Sequence, residues 1–185
     1  MAGEIASKQQ LRMGLARWAM VTVPAIVFLG FLSGKAAGPS GDSRWYQGLA
    51  KPDFQPPAWV FPIAWTILYI LLGVALAMIL NARGAKWRGL ALSLFAFQMM
   101  LNLLWSPLFF GAHQVSAALL LLLILFVAAA ICTILFKSIR KMAGWLMLPY
   151  LAWLAFATLL NFEVDRLNPD AETFIAPVPQ AEVIL

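Results

Sequence analysis

The sequence predicts an all-α membrane protein, a bundle of five transmembrane helices, and three observations carry that reading. Of its 185 residues, 63% are hydrophobic and only 11% charged, with a mean hydropathy of +0.84. Soluble domains hold about 45–50% apolar and about 25% charged residues. Five apolar runs, each near the ~20 residues that a span requires, follow one another along the chain. Short turns rich in lysine and arginine separate them, so the net charge of +5 reports topology and not an affinity for nucleic acid. One bundle accounts for nearly the whole length, and no second domain is expected.

Taken in order, residues 1–17 form a polar, lightly basic N-terminal extension, and the first span covers about 15–34 with Pro24 as a kink. A basic start followed by Gly34, Lys35 and Ala36 also suits a cleaved leader. A retained span is preferred, because the run approaches full span length. A lid loop fills 35–58, where Pro52, Pro56 and Pro57, with Pro62 just beyond, fix φ near −65° and bias each preceding residue away from α. That makes a stiff mouth. The second span, 59–80, holds 22 residues, about 33 Å of helix against about 30 Å of hydrocarbon. The third, 89–110, is interrupted by Gln98, Asn102, Ser106 and Pro107. The fourth, 115–136, is the most uniformly aliphatic and is expected to face lipid or a partner subunit. The fifth spans 142–162, and the acidic tail 163–185, with Pro169, Pro177 and Pro179, is expected to lack fixed structure.

Five spans put the termini on opposite sides. Lys8, Arg12, Arg17, Arg83, Lys86, Arg88, Lys137, Arg140 and Lys141 fall on one side; Lys35, Arg44, Lys51 and Arg166 fall on the other. The heavier basic side is expected in the cytoplasm together with the N-terminus, and a bacterial membrane fits this bias best. The single cysteine, Cys132, lies inside an apolar run and reads as a small buried residue. No metal site is expected, since the lone His113 brings one ligand with no carboxylate nearby in sequence. No carboxylate lies in a helix core, which leaves acid/base catalysis and proton relay without candidates.

Polar and aromatic side chains in the spans fall into stripes. Gln98, Asn102 and Trp105 share one helical face, as do Phe61, Trp65 and Tyr69, and as do Trp153, Ala157 and Leu160. From spacing alone, interhelical packing is the simpler explanation. Flat aromatic surfaces beside a few donors (the Trp65 and Trp153 indoles, the Asn102 amide, the Tyr46 hydroxyl) and the small Ala157 favour a pocket for a flat, largely apolar ligand. Arg44, Lys51 or His113 at the mouth would meet acidic groups on such a ligand.

Three motifs carry a resemblance. WYxxLxKPxxxPPxWVxxxxWxxLY over 45–69, LNxxWxPxxFGA over 101–112 and PYLAWLAFATxxN over 149–161 are similar to those of the TspO/MBR family, whose members are called tryptophan-rich sensory proteins and translocator proteins. The resemblance covers about residues 18–168. It implies a five-helix bundle, often a homodimer, that binds porphyrins, benzodiazepine-type ligands and sterols beneath the first loop. Carried over by position, Tyr46 and Pro56 belong to the lid, Trp65 and Asn102 donate to a ligand carbonyl, Trp105 lines the wall, and Trp153, Ala157 and Leu160 contribute from the fifth helix. One departure weakens the sterol expectation: Phe162 replaces the tyrosine of the family's sterol stretch, and Glu163 and Asp165 precede Arg166.

The leading expectation is therefore a membrane protein that binds protoporphyrin IX or haem as a sensor, regulator or transporter, with no cofactor required. A second is light-dependent porphyrin breakdown, in which Trp65 and Trp153 match the implicated tryptophans. A third is a membrane scaffold, for which Gly89 and Ser93 supply one small-residue pair.

Overall fold

The computed structural model describes residues 8–38 and 43–174; the first part of the N-terminal extension and the tail from 175, with Pro177 and Pro179, lie outside the described residues. In chain order the helices are α1 (Lys8–Ala36), α2 (Arg44–Gly48), α3 (Val60–Asn81), α4 (Arg88–Ser106), α5 (Val115–Ile139) and α6 (Lys141–Leu167), and a π-helical turn, Pro107–Gly111, prolongs α4. Five stretches are long and apolar enough to cross a membrane: Arg12–Ala36, Val60–Asn81, Arg88–Gly111, Val115–Ile139 and Lys141–Leu167. The fold class is the expected one. Helix α1 starts well before residue 15, because Lys, Gln, Leu and Arg are good helix formers and no proline precedes the apolar run.

Around the bundle α1 packs on α3, α3 on α6, α6 on α5 and α5 on α4, and α4 returns to α1. The α1–α3 contact is close because position 73 is glycine: a Cβ there would stand 2.7 Å from Val23 Cα. At the same crossing the Thr22 hydroxyl donates to the Gly73 carbonyl at 2.7 Å. Small residues let membrane helices approach in this way.

Pro107 has no N–H to offer the Leu103 carbonyl four residues before it. Ser33 of α1 supplies the missing donor at 2.5 Å, and the chain widens into the π turn that ends in Gly111. A polar residue on one helix thus repairs the break that proline makes in another.

Two expectations are corrected. Helix α5 is the most hydrophobic span, yet 39% of its apolar stretch is buried, against 11% for α1. Hydropathy measures transfer from water and does not distinguish a lipid surface from a protein one; small residues such as Ala118, Ala128, Ala129 and Cys132 seat α5 between its neighbours. The peripheral helix is α1, which exposes Met20, Val21, Phe28 and Phe31. The tail, in turn, has fixed structure as far as Phe174. Helix α6 runs past residue 162 to Leu167, and turns follow it because Asn168 and Ala171 are bonded to the lid.

The lid is also more regular than its prolines suggest. Ser43 Oγ accepts the Tyr46 N–H at 3.2 Å, capping the short helix α2.

Candidate ligand site

The spans deliver two joined aromatic clusters. In the deeper one, Trp65 of α3 stacks on Tyr69, 5.4 Å between centroids, and meets Trp153 of α6 edge-on at 6.3 Å. Phe61 and Phe156 flank Trp153 at 5.9 and 5.5 Å, and Phe54 of the lid packs on Phe156 at 6.4 Å. An aromatic path therefore leads from the lid to the bundle centre. Ala157 lies half-buried on the same core, and Leu160 is buried one turn further along.

Below these rings runs a directed hydrogen-bond chain. Tyr69 OH donates to Asn102 Oδ1 at 2.9 Å, Asn102 Nδ2 donates to Tyr150 OH at 3.1 Å, and Tyr150 OH donates to Gln98 Oε1 at 2.8 Å. Asn102 is thus engaged by two tyrosines, which leaves one amide hydrogen for anything else. Among the described residues two buried donors have no partner: Gln98 Nε2 and Trp153 Nε1. Such donors are costly in an apolar interior.

The outer cluster lies under α2. Trp105 stacks on Phe109 at 5.1 Å, and its indole donates to Asn161 Oδ1 at 3.2 Å. Tyr46 meets Phe110 at 5.2 Å. Trp105 touches both clusters and so links lid and core. Burial pushes the Tyr46 phenol above its ordinary range, with a Gln55 hydrogen bond opposing the shift, and burial lowers the Lys51 ammonium. Lys51 lies 4.6 Å from the centre of the Tyr46 ring and donates to the Gln47 and Leu49 carbonyls. His113, in a left-handed turn at φ 57°, stacks on Trp45 at 4.1 Å. Arg44 is exposed and Pro56 half-buried in the lid.

The lid is strapped down from the far end of the chain. Trp45 Nε1 donates to the Ala171 carbonyl at 2.8 Å, and Asn168 bonds Ala50. The sequence reading missed this strap, together with Tyr150 and Phe156. A tyrosine inside a span was the available signal for Tyr150, since its hydroxyl requires a partner there.

Five spans, a proline-stiffened lid and a tryptophan-lined, amide-bearing interior define a polytopic helical membrane protein of the tryptophan-rich type. The chain belongs to the TspO/MBR family, whose model matches residues 20–167. It is 37% identical over 144 residues to protein CrtK of Rhodobacter capsulatus, covering 75% of this chain and 90% of that one. It is 40% identical over 141 residues to the tryptophan-rich protein TspO of Chlorobaculum tepidum, covering 74% and 87%. The translocator protein of Homo sapiens is 41% identical over 127 residues, covering 68% and 75%.

Proposed function

We propose that this protein binds a tetrapyrrole, protoporphyrin IX or haem, between the deep aromatic cluster and the lid, as a sensor, regulator or transporter. The observation that carries the reading is the Trp153 indole N–H, buried among aromatic rings with no acceptor among the described residues. A flat apolar ligand with a polar edge offers that donor a partner and offers Trp65 and Trp153 faces on which to stack. Benzodiazepine-type ligands share this chemistry. Sterol is not part of the proposal, because Phe162 stands in place of the tyrosine of the family's sterol stretch and two acids, Glu163 and Asp165, precede Arg166. The proposal includes a homodimer, with Gly89 and Ser93 on the outer face of α4.

The test is a dark titration of detergent-purified protein with protoporphyrin IX, followed by tryptophan quenching, beside Trp65→Phe and Trp153→Phe. Saturation near micromolar ligand, about −8 kcal/mol, weakened in both variants, is the expected result. Linear quenching that neither substitution changes would mean partition into micelles and remove the pocket.

The unbroken ring contact from Trp153 through Trp65 to Tyr69 favours a second reading, light-driven porphyrin breakdown with the porphyrin as its own photosensitiser. Illumination should then bleach the Soret band faster with the natural protein than with Trp153→Phe.

A further inference from the structure

The two ends of the bundle differ in charge more than the turns alone suggest. Every acidic residue among those described (Asp53, Glu163, Asp165, Asp170 and Glu172) stands at the lid end. The other end holds Arg12, Arg17, Arg83, Lys86, Arg88, Lys137, Arg140 and Lys141 with no described acid beside them. At that end α5 passes into α6 through Arg140 alone. The turn is tight because Gly144 accepts the Lys137 backbone against it, where a side chain would collide.

Beside this turn lies a shallow, open cleft lined by Ile134, Lys137, Ser138, Ile139 and Lys141. Both lysines are exposed, no side chain caps the N-terminus of α6, and no acid lies in its first turn. An anion there would meet two ammonium groups; the positive end of α6 is offset at the turn by the negative end of α5, so the lysines carry the attraction. The cleft has an apolar approach. Val127, Ile131 and Ile134, exposed at 57, 49 and 67%, form one stripe of α5 that continues to Ser138. From 127 to 138 this stripe measures about 16 Å along the helix axis, about the hydrocarbon depth of one leaflet. Trp145 stands exposed beside Lys137, whose ammonium lies 5.3 Å from its ring centre, as suits the headgroup level.

From this geometry we infer that the α5–α6 turn is a binding site for an anionic phospholipid. Lys137 and Lys141 hold the phosphate, and one acyl chain lies along Val127, Ile131 and Ile134. A soluble phosphate shares the charge chemistry but leaves the apolar stripe unused. The site is independent of the proposed tetrapyrrole pocket.

The test uses the full chain, purified in detergent, stripped of lipid and offered phosphatidylglycerol or phosphatidylcholine, with retained lipid counted by native mass spectrometry. Phosphatidylglycerol should be retained about tenfold or more over phosphatidylcholine. The pair Lys137→Gln and Lys141→Gln should abolish that preference. Arginine at both positions should keep it, as should Arg83→Gln with Lys86→Gln at the same end. Equal loss in the Arg83 and Lys86 pair would reduce the effect to general basicity and overturn the site. Displacement of the lipid by excess inorganic phosphate would overturn the lipid assignment. Efficient disulfide dimers of Ile131→Cys in lipid vesicles would give the stripe to a second copy of the chain and overturn it as well.

Discussion

Asn168 and Ala50 exchange two hydrogen bonds: the Ala50 N–H donates to Asn168 Oδ1 and Asn168 Nδ2 donates to the Ala50 carbonyl, each at 2.8 Å. One side-chain amide beyond the last span thereby behaves as a strand partner for the lid. Asn168→Ala removes both bonds, about 1 kcal/mol or more in total. Hydrogen exchange at the Ala50 amide should quicken about fivefold or more while the bundle's melting temperature stays put. Unaltered exchange would separate the strap from the lid.

Tyr150 is the hub of the buried chain, accepting from Asn102 and donating to Gln98. Tyr150→Phe strands two polar groups, at about 1–3 kcal/mol each, whereas Tyr69→Phe strands only Asn102 Oδ1. Thermal unfolding in detergent should therefore show a larger loss for Tyr150→Phe. The reverse order would contradict the directions of these bonds.

Trp153→Phe keeps an aromatic ring against Phe61 and Phe156 and discards an unpartnered donor. Stability should be unchanged or slightly higher, while affinity for protoporphyrin IX in the dark falls about three- to tenfold. A loss of stability well beyond that of the smaller ring's packing would show that the indole N–H finds a partner within the protein.

Gly73→Val forces a side chain into the Val23 backbone. Overpacking of this kind costs about 1–3 kcal/mol or more, and it should loosen α1 from α3. Gly34→Ala, where a Cβ meets nothing within 4 Å, is the control and should leave the melting temperature unchanged or raise it. Similar melting curves for the two variants would refute the close crossing.

The five spans were legible because each is a local property of composition, and Trp65, Asn102, Trp105 and Trp153 stood out because rare residues recur there at helical spacing. The strap was not legible. Asn168 and Ala171 sit among residues whose composition reads as irregular, and their order comes from partners more than a hundred positions away. Ser33 was silent for the same reason, since its value depends on a carbonyl that Pro107 frees on another helix. Helix α5, expected to be the span most turned to lipid or a partner subunit, keeps one exposed face, but α1 is the more peripheral helix, because burial in a bilayer follows side-chain size and helix order more than hydropathy.

The contacts that close the mouth join residues 118 and 126 positions apart, whereas α5 and α6 meet across the single residue Arg140. Chains emerge from the ribosome N-terminus first, and each distant closure carries an entropic cost. Every span can enter the bilayer and find a neighbour before Asn168 and Ala171 are made. The cap is therefore fastened last, and an incompletely translated chain would be inserted yet open, distinguishable from the finished molecule by protease cleavage at its lid.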